Sequence, residues 1–119
     1  MNVTPVHEEL IGMAYLDVIS KIRIEDEQGD CCGYASCDEV TNEITDSVDV
    51  STLTLKGLVE IEYDDRYDDR RVLNFIFVTP NGSELLLGYE LSAGSGSGWS
   101  YGAWVSISLG DKQLSSASW

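Results

Sequence analysis

The sequence predicts a mainly β domain of about six strands in a largely antiparallel sheet, built as a small sandwich or half-barrel with one or two short helices; α+β is the alternative class. Three observations carry this. Val72–Val78 is apolar at every position except Asn74, the pattern of a strand covered on both faces. Trp99 to Leu109 alternates instead, with Trp99, Tyr101, Ala103, Val105, Ile107 and Leu109 opposed to Ser100, Gly102, Ser106 and Ser108, the pattern of a strand with one buried face. Between these two strands, Thr79-Pro80-Asn81-Gly82 has turn chemistry and leads into a third, Glu84 to Leu91. Ala93-Gly94-Ser95-Gly96-Ser97-Gly98 then reads as a flexible hairpin loop; it opens no helix, so its glycines do not form a phosphate cradle.

Ahead of this scaffold the signals are weaker. Thr4 before Pro5, with Glu8 and Glu9 following, suggests a short capped helix to Ile11. From Ala14 to Glu25 the β-branched residues Val18, Ile19, Ile22 and Ile24 favour a strand, although Ala14, Tyr15, Val18 and Ile22 also fit a helical face. Glu25 to Asp30 has the composition of a hairpin turn returning through Cys31–Cys37. Ser36 and Glu39 match a capping box for a short helix between Cys37 and Asp46. Val48 to Tyr63 reads as a strand bent at Gly57, and Asp64–Asp69 as a hydrophilic hairpin loop. Residues 1–112 are expected to form one domain, and 113–119 a short, Ser-rich, frayed tail.

The net charge of −14 is concentrated in one region. Fifteen acids stand against Lys56 and Arg66 between Glu25 and Asp69, a net of −13. Such a chain is a poor direct partner for nucleic acid or an anionic membrane and a better one for a basic protein surface. No apolar run approaches the ~18 residues of a membrane span, and no signal peptide is visible, so the expected location is cytoplasmic.

Glu25, Asp26, Glu27, Glu60, Glu62, Asp64, Asp65, Asp68 and Asp69 are the expected partner-binding acids. A solvated surface and a calcium loop at 64–69 are the competing explanations; the loop lacks EF-hand glycine and spacing and contains Arg66. Cys31, Cys32 and Cys37, with the lone His7, are weak candidates for a metal site, because adjacent cysteines on a strand point to opposite faces. No cofactor is expected, and no acid pair or supported thiol marks a catalytic centre, so the chain reads as a non-enzyme. Trp104, on the polar face of its strand, is a candidate interface residue, and a homodimer is one outcome.

Gly29-Asp30-Cys31-Cys32 followed by Tyr34, with Leu10-Ile11-Gly12 before it, an acidic middle and the late strand, Asn81-Gly82 turn and strand, resembles a family of small uncharacterised phage proteins with a Gly-Asp/Gln-Cys-Cys signature. The resemblance implies a mostly β fold, a phage or prophage origin and residence in the host cytoplasm; it implies no activity. Together with the charge, it leads to the expectation of an accessory protein that binds a host protein through an acidic surface, mimicking or blocking nucleic acid. A structural, self-associating phage protein and a Cys-based metal module are the alternatives.

Overall fold

The computed structural model describes residues 2–29, 33–63, 68–95 and 102–119, and within them the chain is mainly β. Eight strands among the described residues form two antiparallel sheets, neither closed into a barrel. In chain order these are β1 (Asn2–Val6), β2 (Ile22–Glu27), β3 (Gly33–Asn42), β4 (Thr54–Tyr63), β5 (Asp68–Val78), β6 (Glu84–Ser95), β7 (Trp104–Leu109) and β8 (Lys112–Ser118), with one helix, α1 (Tyr15–Lys21). The larger sheet has the order β1-β4-β5-β6-β3 and the smaller β2-β7-β8.

The scaffold strands behave as their patterns require. Leu73, Phe75 and Phe77 of β5 are fully buried and face the smaller sheet together with Leu87, Leu91 and Ala93 of β6 and Leu55 and Leu58 of β4. Burying each such side chain contributes roughly 1.5–3 kcal/mol, which makes this layer the main source of stability. From the other sheet, Ala103, Val105, Ile107 and Leu109 close the core, and Tyr15 of α1 meets Phe77 edge to face with centroids 5.0 Å apart. The Thr79–Gly82 turn forms as expected, with Gly82 at φ 90° and its N–H bonded to the Thr79 carbonyl. Gly57 marks a bulge, where the β4–β5 register shifts after Leu55.

Several expectations are corrected. Thr4 caps no helix; it lies in β1, and only a single 3-10 turn forms at Glu8–Leu10. The Ala14–Glu25 stretch is not one strand, because Val18 at helical spacing from Tyr15 reaches the core, and the chain becomes extended only at Ile22. No helix starts at Cys37: β3 runs through to Asn42, its backbone paired with β6. Glu25–Asp30 is not a hairpin turn, since β2 pairs with β7 and β3 with β6, so the chain crosses between sheets there. The 93–98 segment likewise joins no hairpin, because β6 and β7 belong to different sheets; residues 96–101 lie outside the described residues.

The expected tail is β8. Leu114, Ser115 and Ala117 are buried, and β8 pairs with β7 across a two-residue connection at Gly110 and Asp111. Its end is tied in by a bond from the Trp119 N–H to the Ala103 carbonyl and one from the Gly102 N–H to the Trp119 carbonyl. Finally, β5 is not covered on both faces by described residues: the smaller sheet lies over one face, and no element packs over the other.

Candidate functional site

The nine expected partner-binding acids do not share one environment. Asp64 and Asp65 lie outside the described residues. Glu60, Glu62 and Asp69 converge on Arg71, whose guanidinium lies 3.1 Å from Asp69 through Nε, and 3.3 Å from Glu62 and 3.6 Å from Glu60 through Nη1. Register explains the meeting: Glu62 of β4 sits opposite Arg71 of β5, and Glu60 and Asp69 are each two residues along on the same face.

This group ties the two sheets together. The Ser115 hydroxyl of β8 donates to Glu60 at 2.5 Å, and the Ser118 N–H donates to Asp69 at 2.9 Å. Burial works against the charge of Arg71, but its hydrogen bond to Asp69 and the pull of Asp69, Glu62 and Glu60 outweigh that and raise its pKa above the ordinary arginine value. These acids therefore act first as structural anchors, which removes them from the simple picture of a docking surface. Asp68 makes no ion pair among the described residues.

The remaining acids gather elsewhere. Between Glu25 and Asp49 the chain has nine acids and no base. β2 and β3, which carry many of them, are the edge strands of the smaller and larger sheets and run near each other on one side of the sandwich. Glu25 and Glu27 share the outer face of the smaller sheet with Trp104, which is opposite Glu27 in register and 39% exposed. Glu25 is paired with Arg23 at 2.6 Å, a solvent-exposed contact of little energetic weight. Asp26, exposed on the other face of β2, is close enough to Cys37 of β3 to act on its charge. The Cys37 thiol is pushed up to about 11 by burial, then by the charges of Asp38 and Asp26. Farther along β3, Glu39 acts after burial to raise the Tyr15 and Tyr89 pKa values.

A thiol with this pKa carries little thiolate at neutral pH, so Cys37 is a poor nucleophile and a poor metal ligand. Cys31 and Cys32 lie outside the described residues, and His7 is engaged elsewhere, with its Nε2 2.7 Å from the Leu114 carbonyl oxygen. Among the described residues no group of three His, Cys, Asp or Glu side chains is arranged to hold a metal ion.

Sequence reasoning missed two features. One is Arg71 as the hub of the acid cluster; its spacing from Asp69, two residues along one strand face, was the available signal. The other is the uncovered face of the larger sheet, where Val3, Ile61 and Val72 form one row, Pro5, Val59, Asn74 and Gly88 the next, and Ile76 and Leu86 a third. No described helix is long and apolar enough to cross a membrane. Compared with family models, curated proteins and solved structures, the chain matches none of them.

Proposed function

We propose that this chain is a non-enzymatic binding protein that docks a basic protein surface against the acidic flank formed by β2 and β3. The observation that carries this reading is the nine acids without a base between Glu25 and Asp49, five of them on two neighbouring edge strands. Asp26, Glu27, Asp38 and Glu39 form no ion pair among the described residues, unlike the group around Arg71, and the exposed Trp104 beside Glu27 supplies the kind of aromatic anchor that binding energy concentrates on. Taken with the likeness at Gly29–Cys32 to small phage proteins, the proposed partner is a host cytoplasmic protein that holds nucleic acid, with carboxylates standing where phosphates would.

The same charges also keep two open strand edges from pairing with other chains, and one experiment separates the roles. Immobilised protein is exposed to bacterial lysate at low salt, alongside a variant carrying Asp26→Asn, Glu27→Gln, Asp38→Asn and Glu39→Gln. The proposal expects wild type to retain basic proteins that double-stranded DNA displaces and that about 500 mM salt releases, and the variant to lose them. Equal retention by the variant, or no basic protein held at low salt, overturns it.

A further inference from the structure

β3 ends the larger sheet on one side, and its open edge is occupied at one point only among the described residues. The Gln28 carboxamide lies there like one residue of a further strand: Nε2 donates to the Ala35 carbonyl at 2.9 Å, and Oε1 accepts from the Ala35 N–H at 3.1 Å. Both backbone groups of Ala35 therefore point away from β6. The alternation of an antiparallel ladder turns those of Cys37 and Glu39 the same way, ahead of the bulge between Glu39 and Thr41. No described group bonds the outward N–H and C=O of Cys37 or Glu39.

The layer facing this edge is also incompletely covered. Ile24 of β2 is opposite Ile107 in register and so lies on the inner face of the smaller sheet, yet Ile107 is fully buried while Ile24 is 42% exposed. Gln28 sits at Ala35 and Asp26 acts on Cys37, a progression that brings Ile24 to the level of Glu39.

We propose that the open edge of β3, resting on the reading of the β2–β3 flank as a docking surface, takes an extended segment of the partner protein as one more antiparallel strand, with Lys or Arg at every second residue. Main-chain bonds to Cys37 and Glu39 continue the row that Gln28 begins, the pairing by which exposed sheet edges capture peptides. Residues of the segment directly opposite Cys37 and Glu39 place their side chains on the inner face. A long basic side chain there lays its stem against Ile24 and its charge beside Asp26 or Glu39. Charge selects the occupant: Asp26, Asp38 and Glu39 form no ion pair among the described residues, so they repel a second copy of this chain, whose net charge is −14, and attract a basic segment.

The probe is an acetylated, amidated peptide of about eight residues alternating lysine and threonine, added to the wild-type chain in about 50 mM NaCl. At saturation, amide hydrogen exchange followed by NMR should slow at least about tenfold at Cys37 and Glu39 and stay unchanged at Ser36 and Asp38, whose N–H groups already bond β6. Methylating the lysine amides of the peptide, which face β3, should weaken binding at least about tenfold by fluorescence anisotropy; methylating the threonine amides, which face away, should leave it. Unchanged exchange at Cys37 and Glu39, equal binding of the two methylated forms, or no binding at about 1 mM peptide overturns the added strand. The acidic-flank reading fails separately, if the unmodified peptide binds the Asp26→Asn, Glu27→Gln, Asp38→Asn, Glu39→Gln variant as tightly as wild type. A peptide indifferent to the position of methylation but lost in that variant leaves the flank standing and removes the strand.

Discussion

Arg71 holds three carboxylates, and its replacement by methionine tests whether they are structural. Of the three, Glu62 is 48% exposed and contributes little, as solvent-exposed pairs do. Asp69 and Glu60 are 26% and 14% exposed, and Arg71 itself 29%, so they sit nearer the buried limit. Breaking a fully buried pair costs roughly 3–5 kcal/mol; partial exposure brings the expectation for R71M to about 2 kcal/mol. For a chain of this length that lowers Tm by about 8 °C. Methionine preserves most of the stem, so the loss reports the charge and not a cavity. Adding Glu60→Gln to R71M removes the most buried unpaired carboxylate and should recover about 1 kcal/mol, a coupling read from the double-mutant cycle. Urea denaturation followed by circular dichroism supplies both numbers. The reasoning is refuted if R71M costs less than about 0.5 kcal/mol, or if the double variant is no more stable than R71M.

Two further outcomes follow from the strands and the thiol. Leu114→Ala should lower stability by about 2–3 kcal/mol in the same urea assay, and a chain ending at Lys112 should fail to fold, because β8 fills the core rather than trailing from it. For Cys37, the pKa is raised in the folded state, so the protonated thiol is the form that folding favours. The associated stability is complete below the ordinary value of 9.0 and is lost as pH rises toward about 11. In a Cys31→Ser, Cys32→Ser background, urea titrations across that window should show a loss on the order of 1–2 kcal/mol that Cys37→Ala reduces, the remainder coming from Tyr15 and Tyr89, whose raised pKa values act in the same direction.

The scaffold was legible where side-chain period and turn chemistry agree. The β5–β6 hairpin follows from Val72–Val78 and the Asn81-Gly82 turn, and the burial of Ala103, Val105, Ile107 and Leu109 follows from their alternation. β8 escaped notice because only Leu114 and Ala117 are apolar in it, and its serines look solvent-loving. Ser115 is nevertheless buried, because Glu60 accepts its hydroxyl proton. The overlooked signal was Gly110-Asp111, a two-residue connection of the kind that closes hairpins, with Gly110 at φ 61°. α1 was misread because β-branched density outweighed the Tyr15–Val18 spacing, although burial of Val18 decides that segment. The Asp69–Arg71 pair follows from spacing along one strand, but the share of Glu60 and Glu62 in the cluster does not: which β4 carboxylates meet Arg71 depends on the register of β4 against β5, and sequence alone does not set register across a loop.

The smaller sheet pairs Ile22–Glu27 with a strand that begins at Trp104, so most of the chain must be synthesised before β2 finds its neighbour. Contacts of such long sequence separation form late, and the strand that waits for them is exposed in the meantime. Its sequence, Ile22-Arg23-Ile24-Glu25-Asp26-Glu27, carries four charges in six residues, enough to keep a nascent strand from joining another chain. The acidity of this segment thus guards the chain while it is still being made.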